Sequence, residues 1–384
     1  MLSIQIIGRE ENTMKTSFLY LSEPDIIKAG GLDYKKCMNN IEETFGLLGK
    51  GDYLMGGKKH NEHGMRIDFP EKSEFPNMPL KGPDRRFMAM MAYLGGRFNV
   101  CGEKWYGSNI INKQRMLPRS ILMVMLNNPD TCEPICLLSG NIISSMRTGC
   151  VAGIGALKLA NKNSKICTII GCGPINRSCF KAIKTQMTDL ETLVLYNLSK
   201  DRAIEFAEWA ERETGIKTII KDNIEDAVRL GDIISIAASR RKPVELKNEW
   251  IKKGATVILS GNCHFDDDYW LNSTNIFDNT KMHEAYIQEA EQSDDVEKEY
   301  EYLFAGQLYR LMKRGKHPNI KECISMGDII LGKHPGRTSE EERINFITGG
   351  MAVFDVSWGF ELYQNAIKNG IGQELLLWDE AYCL

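Results

Sequence analysis

Several signatures of hydrolytic and metal-dependent chemistry are missing from this chain. Its 6 histidines include no HExxH, its 11 cysteines form no CxxC pair, and no GxSxG segment occurs. These gaps argue against zinc-site and serine-nucleophile chemistry, and no metal is expected. No apolar run approaches the roughly 20 residues of a membrane-spanning helix. A formal net charge of −3 offers no basic field for nucleic acid or anionic lipid. Neither nucleic acid nor membrane is therefore expected as a partner. The first residues, Met1 to Thr16, carry neither an apolar h-region nor a cleavage-like site, so no signal peptide is expected. The cysteine count is odd, with Cys132 and Cys136 spaced CxxxC, and reduced thiols in a cytoplasmic protein are the expectation.

What is present suits a globular enzyme. Hydrophobic residues make up 43% and charged residues 26% of 384 positions, a length for about two domains. The segment Lys165–Asn176 stands out: the apolar run Ile166–Ile170 meets Gly171-Cys172-Gly173, and a helix-like stretch follows. A buried strand turning tightly into a helix N-terminus holds a pyrophosphate on backbone N–H groups and the helix dipole. Gly171 suits the turn and Gly173 the close approach, while Asn176 stands where the third fingerprint glycine is usual. Pro174 and Ile175 complete the loop.

Strand and helix patterns alternate from there. Thr192–Tyr196, Lys217–Ile220, Asp232–Ala238 and Thr256–Ser260 read as strands. Between them, Ala203, Phe206, Ala207 and Ala210 line one face of a helix over Lys200–Thr214. This is the pattern of a Rossmann-type doubly wound parallel sheet. Ala237, Ala238 and Ser239, at the end of the strand Asp232–Ala238, are expected to border the nucleotide. The earlier part is turn-rich, with Pro76, Pro79 and Pro83, and suits an α+β domain with an antiparallel sheet. Ile142–Ala160 reads as a connecting helix whose glycines allow close packing, and Val353–Lys368 as a last helix returning to the first domain. The expected division is 1–147 with 348–384 for substrate binding and dimerisation, and 148–347 for the dinucleotide. The acidic run Asp294–Tyr302 reads as solvated surface.

At the end of the second strand, where NAD sites usually carry a carboxylate, stands Asn197, followed by Ser199, Lys200 and Arg202. The cofactor is thus NADP or NAD. The neighbouring cations tip the balance slightly to NADP, unless Lys200 and Arg202 are simply solvated. Arg147, in an otherwise small and apolar helix, needs an anionic partner: a protein carboxylate or a substrate carboxylate. Lys58 and Lys104 complete a basic constellation. His264, after the strand at 256–260, is a candidate acid or base, though a lone histidine is more often structural.

Taken together, these segments resemble the ornithine cyclodeaminase/μ-crystallin superfamily. The resemblance rests on Tyr20–Gly30, Glu103-Lys-Trp-Tyr-Gly-Ser108, Leu126–Asp130, Ile143-Ser-Ser-Met-Arg-Thr148, the glycine loop and Gly350-Met-Ala-Val-Phe-Asp355. Within it, the segments around Lys104 and Arg147 look closest to the branch that forms 2,3-diaminopropionate, whose enzymes oxidatively split N-(2-amino-2-carboxyethyl)-glutamate with NAD. The resemblance implies a homodimer whose first domain grips the substrate α-carboxylate, with Lys58, Lys104 and Arg147 in that role. Lys104 would also stand near the reacting Cα–N bond. Cyclodeaminases carry an aspartate where this chain has Asn262, which accepts no proton at physiological pH. Ring closure with ammonia loss needs such a base and hydride transfer does not, so Asn262 points to an amino-acid dehydrogenase or imine reductase. A redox-neutral cyclodeaminase and a non-catalytic, crystallin-like ligand binder are the alternatives.

Overall fold

The computed structural model describes residues 15–238 and 243–383. Its first sheet has eight strands in the spatial order Gln373–Trp378, Thr16–Leu21, Pro134–Ser139, Ser120–Asn127, Val100–Ser108, Arg86–Leu94 and Tyr53–Met55, with Met65–Asp68 also on Arg86–Leu94. All its pairs are antiparallel except Thr16–Leu21 with Pro134–Ser139. Side chains alternate between faces, as strand geometry requires. Met88, Met90, Ala92 and Leu94 are buried, while Phe87 and Met91 face outward. In the next strand Lys104 sits opposite Met90 and Val124, on the buried face, and Trp105 points out. The helix Ala352–Asn369 covers this buried face, placing Val356 against Gly102 and Gly359 against Val124 and Leu138.

The second sheet is parallel throughout, in the order Lys217–Ile220, Thr192–Tyr196, Ile166–Ile170, Ile233–Ile236, Thr256–Leu259, Ile344–Ile347, Thr274–Phe277, Ile324–Ser325. The chain enters at Ile166–Ile170, winds to one edge, and returns past its starting strand to build the other half. The order reverses between Ile166–Ile170 and Ile233–Ile236, and such a reversal opens a crevice at the C-terminal strand ends. The fold is therefore a Rossmann-type α/β unit joined to an α+β unit. The helix Gly140–Leu159 runs between them. Cβ atoms at Gly149, Gly153 and Gly155 would come within 2.2 Å of Ser178, 2.7 Å of Met38 and 2.3 Å of Phe346. Only glycine lets this helix approach so closely on several sides.

Most expected elements appear with shifts at their ends. The strand expected over Asp232–Ala238 covers Ile233–Ile236, and the Asp232 carboxylate just before it accepts the N–H groups of Lys165 and Ile166. The acidic run departs further: Val296–Tyr302 is a helix with Tyr300 buried, and Lys298, Glu299, Leu303 and Phe304 face the cleft described below. No helix among the described residues is long and apolar enough to cross a membrane.

A candidate active site between the two sheets

The glycine loop forms one wall of a cleft of about 1430 Å³ lined by residues from both sheets. This is roomier than the roughly 300–1,000 Å³ of ordinary small-ligand pockets and suits a dinucleotide plus a second molecule. Gly171 has φ +96° and lies so close to the chain at 237–238 that a Cβ would stand 3.0 Å from the Ala238 Cα. Gly173 caps the helix Pro174–Gln186 without any side-chain cap, and no described atom lies within 4 Å of where its Cβ would be. A helix N-terminus with uncapped N–H groups beside an open backbone fits a pyrophosphate. Gly171, Gly173, Pro174, Ile175, Ala237 and Ala238 all line the cleft, whereas Ser239 lies outside the described residues.

Asn176 does not reach the cleft. It is fully buried, donating to the carbonyls of Ile170 (2.9 Å) and Gly171 (2.8 Å) and accepting from Ser235 Oγ (2.8 Å). Where a third glycine would permit close packing, this amide ties the turn down instead. Asn197 lines the cleft and braces the same loop: its Oδ1 accepts from Cys172 N–H (3.0 Å) and its Nδ2 donates to the Ser199 carbonyl (2.9 Å). Ser199 caps the helix Lys200–Thr214 and also lines the cleft. Lys200 turns away to Asp222 at 3.0 Å, and Arg202, not Lys200, faces the cleft.

Across the cleft, three elements bring two cations onto one carboxylate. Lys104 Nζ lies 2.9 Å and Arg147 Nε 3.1 Å from the same oxygen, Oδ2 of Asp355. Asp355 is fully buried and its partners nearly so, at 3% and 8% exposure. It sits in the first turn of Ala352–Asn369, where the helix dipole favours an anion. Arg147 thus has the protein carboxylate its apolar helix demanded. Yet two cations against one anion leave surplus positive charge, and both Lys104 and Arg147 face the cleft. Gly350, at φ +74°, lies against the guanidinium, and a Cβ there would come within 3.2 Å of Arg147 Nη1. Burial and the Arg147 charge pull Lys104 down to about 8 against the opposing attraction of Asp355. Burial and the charges of Lys104, Arg147 and Arg86 hold His63, which faces the cleft, down at about 3, so its imidazole is neutral at physiological pH.

Besides Asn176 and Lys200, three more of the residues singled out in the sequence are not brought to the cleft. Lys58 is exposed beyond its lining, its backbone N–H bound to Glu62 at 3.1 Å, whereas Arg66, Arg86 and Arg119 line the cleft, Arg66 paired with Asp68 and the other two with Asp84. Asn262 donates through Nδ2 to the Glu301 carbonyl (2.9 Å), so it holds the segment around the helix Val296–Tyr302 and does not line the cavity. His264 lies in a short strand off the lining too. Sequence reading passed over Asp355, although a carboxylate inside the apolar stretch Ala352–Phe360 was a signal that something buried must pair with it. It also passed over Asp278, a fully buried residue facing the cleft, whose carboxylate accepts from Gly349 N–H (2.8 Å) and pairs with His283 (2.8 Å).

A dinucleotide-type crevice facing buried basic residues defines a class of two-domain α/β proteins. Within that class, the pattern of the ornithine cyclodeaminase/mu-crystallin family matches residues 34–370, and the chain belongs to that family. It is 27% identical over 367 residues to N-((2S)-2-amino-2-carboxyethyl)-L-glutamate dehydrogenase of Staphylococcus aureus, covering 95% of this chain and 100% of that one. Among solved structures, the Delta(1)-pyrroline-2-carboxylate reductase of Thermococcus litoralis, in complex with NADH and L-proline, superposes with a TM-score of 0.75 at 22% identity, covering 93% and 99% of the two chains. An archaeal alanine dehydrogenase dimer with bound NAD superposes with a TM-score of 0.75 at 24% identity, covering 94% and 100%.

Proposed function

We propose that this protein is an NAD(P)-dependent oxidoreductase acting at the Cα of a CH–NH bond, as an opine-type amino-acid dehydrogenase or imine reductase. The observation that carries the reading is the pair of buried cations, Lys104 and Arg147, sharing Asp355 while facing the cleft that the glycine loop closes. The loop Gly171–Ile175 would hold the pyrophosphate, and the bound nicotinamide would supply or accept the hydride. Arg147 holds the substrate α-carboxylate with its terminal nitrogens, because its Nε is turned toward Asp355 at 3.1 Å. That grip turns Cα toward the nucleotide wall.

Lys104 handles the proton. In imine reduction the hydride enters at carbon, and the Lys104 ammonium gives the proton that the nitrogen takes up. In oxidation the neutral amine of Lys104 receives the N–H proton as the hydride leaves Cα; water then opens the imine to an amine and a keto acid. A group lowered to about 8 is suited to both directions near neutral pH. A cyclodeaminase is the less favoured reading, since the position of its aspartate is the amide Asn262, bound to the Glu301 carbonyl. A crystallin-like binder has no use for a proton-transfer lysine held near 8. Steady change in reduced-nicotinamide absorbance with an opine or cyclic imine supports the oxidoreductase. Product formed without net cofactor turnover would sink it.

We assign residues 1–147 with 348–384 to substrate binding and dimerisation, and 148–347 to the dinucleotide; the two separate sheets support this division. The outward face of the first sheet supports a homodimer. Phe87 and Trp105 stack there at 5.6 Å beside the exposed Met91, Ile121 and Met123. A contiguous apolar face of this kind calls for a protein cover, and the assigned cover is a second copy. Trp105→Glu should shift the sedimenting species to monomer, and an unchanged mass would count against this face. Core thiols such as Cys37, Cys150 and Cys167 fit a reducing compartment, and the cytoplasm is our assignment.

A further inference from the structure

The nucleotide wall has a second basic corner that the chemistry above leaves unused. It lies where the strand Thr192–Tyr196 ends and the helix Lys200–Thr214 begins, the position that meets the adenosine ribose in this fold. An NAD-selective site sets a carboxylate here to bind the 2′-hydroxyl, and that carboxylate repels a 2′-phosphate. This chain has the neutral Asn197, whose amide is engaged with Cys172 N–H and the Ser199 carbonyl. Arg202, in the first turn of the helix, faces the cleft. So does Lys113, from the 3-10 helix Ile110–Arg115 on the opposite side. Among the described residues neither Arg202 nor Lys113 has an ion-pair partner. The nearest rival cation, Lys200, is taken by Asp222. Partial burial and the charges of Arg202 and Arg119 push Lys113 below the usual lysine value, which indicates that these cations already feel one another across the gap.

Resting on the reading of the glycine loop as a dinucleotide site, we infer that Arg202 and Lys113 form a 2′-phosphate subsite spanning the cleft, making NADP(H) the preferred cofactor. The Ser199 hydroxyl, which also lines the cleft, adds a neutral donor. A phosphate dianion between two cations from opposite walls relieves their repulsion and makes charge-assisted bonds to both. The span has a consequence for the fold: the 2′-phosphate becomes a bridge between the nucleotide unit and the first sheet's unit, a contact that NAD(H) cannot make.

Calorimetric titration of the full-length protein with NADPH, NADH, 2′,5′-ADP and 5′-ADP tests this. NADPH should bind on the order of tenfold to a hundredfold tighter than NADH, as expected for one or two charge-assisted hydrogen bonds. The fragment 2′,5′-ADP should exceed 5′-ADP by a similar factor. Arg202→Ala should bring the NADPH-to-NADH ratio close to one, and Lys113→Ala should lower it severalfold. Arg212→Ala, an exposed cation in the last turn of the same helix, should leave the ratio unchanged. Equal or tighter binding of NADH overturns the inference while leaving the oxidoreductase reading intact, as does a ratio that Arg202→Ala and Lys113→Ala both fail to move. If neither dinucleotide binds, the reading of the loop falls and the inference falls with it.

Discussion

The two basic ends of the cleft handle their charge in opposite ways. At the substrate end, Lys104 and Arg147 are withdrawn from water and held on a buried aspartate. At the ribose end, Arg202 and Lys113 are exposed, and both line the cleft with no ion-pair partner among the described residues. Burial makes the first arrangement rigid and costly to disturb, because an unpaired charge in a low-dielectric interior has no solvent to fall back on. Exposure makes the second adjustable, because water and salt screen it until a ligand excludes them. The first suits orientation of a reacting centre and the second suits selection between two similar cofactors.

The contrast can be broken most sharply at Asp355. Asp355→Ala leaves two buried cations facing each other and should cost about 3–5 kcal/mol of stability, read by chemical denaturation. A loss within the range of a surface substitution would mean the cluster is solvated. Next, Arg147→Ala should lower kcat/KM by on the order of a hundredfold or more, as for a lost charged contact to substrate, with little change in dinucleotide affinity. Parallel losses of both affinities would make Arg147 a structural residue only. On the nucleotide wall, Asn176→Ala removes three buried hydrogen bonds and should cost about 1–3 kcal/mol, with weaker dinucleotide binding as the loop loosens. Unchanged cofactor affinity would show that the turn holds its shape without the amide.

The smallest effect is in the pH profile. Since Lys104 lies near 8, reduction, which needs the ammonium, should be level below that pH and fall by about tenfold per unit above it. Oxidation, which needs the neutral amine, should rise through the same range and then level. Lys104→Met should abolish this dependence. Profiles that ignore pH between 7 and 9 would remove Lys104 from proton transfer, whereas its place beside Asp355 would stand.

Legibility differed between the same two regions. The nucleotide half could be read from local patterns: a buried strand, a glycine turn and a helix are close in sequence, and their hydrogen bonds form between near neighbours. Even the strand ends came within two residues. Arg147 could be recognised as needing an anion, because its own helix offers none. Its partner could not be named, since Asp355 lies 208 residues further along, on a helix that reaches it only once the first sheet is covered. Lys58 looked equivalent to Lys104 as a residue type. Strand alternation points Lys104 inward, while Lys58 sits in a turn beyond the lining, a distinction that depends on register.

By itself the sequence determined the α/β class, the place of the dinucleotide loop, the family resemblance and the requirement for an anion near Arg147. These follow from periodicity, glycine geometry and the energetic cost of a lone buried charge, all of which act over a few residues. Only the tertiary structure decided which carboxylate answers Arg147, that Asn176 and Asn262 brace loops and stay off the cleft, and that Arg202 and Lys113 line the cleft while Lys200 does not. Those outcomes depend on which distant segments the two sheets bring within about 3–4 Å, the range over which hydrogen bonds and ion pairs act.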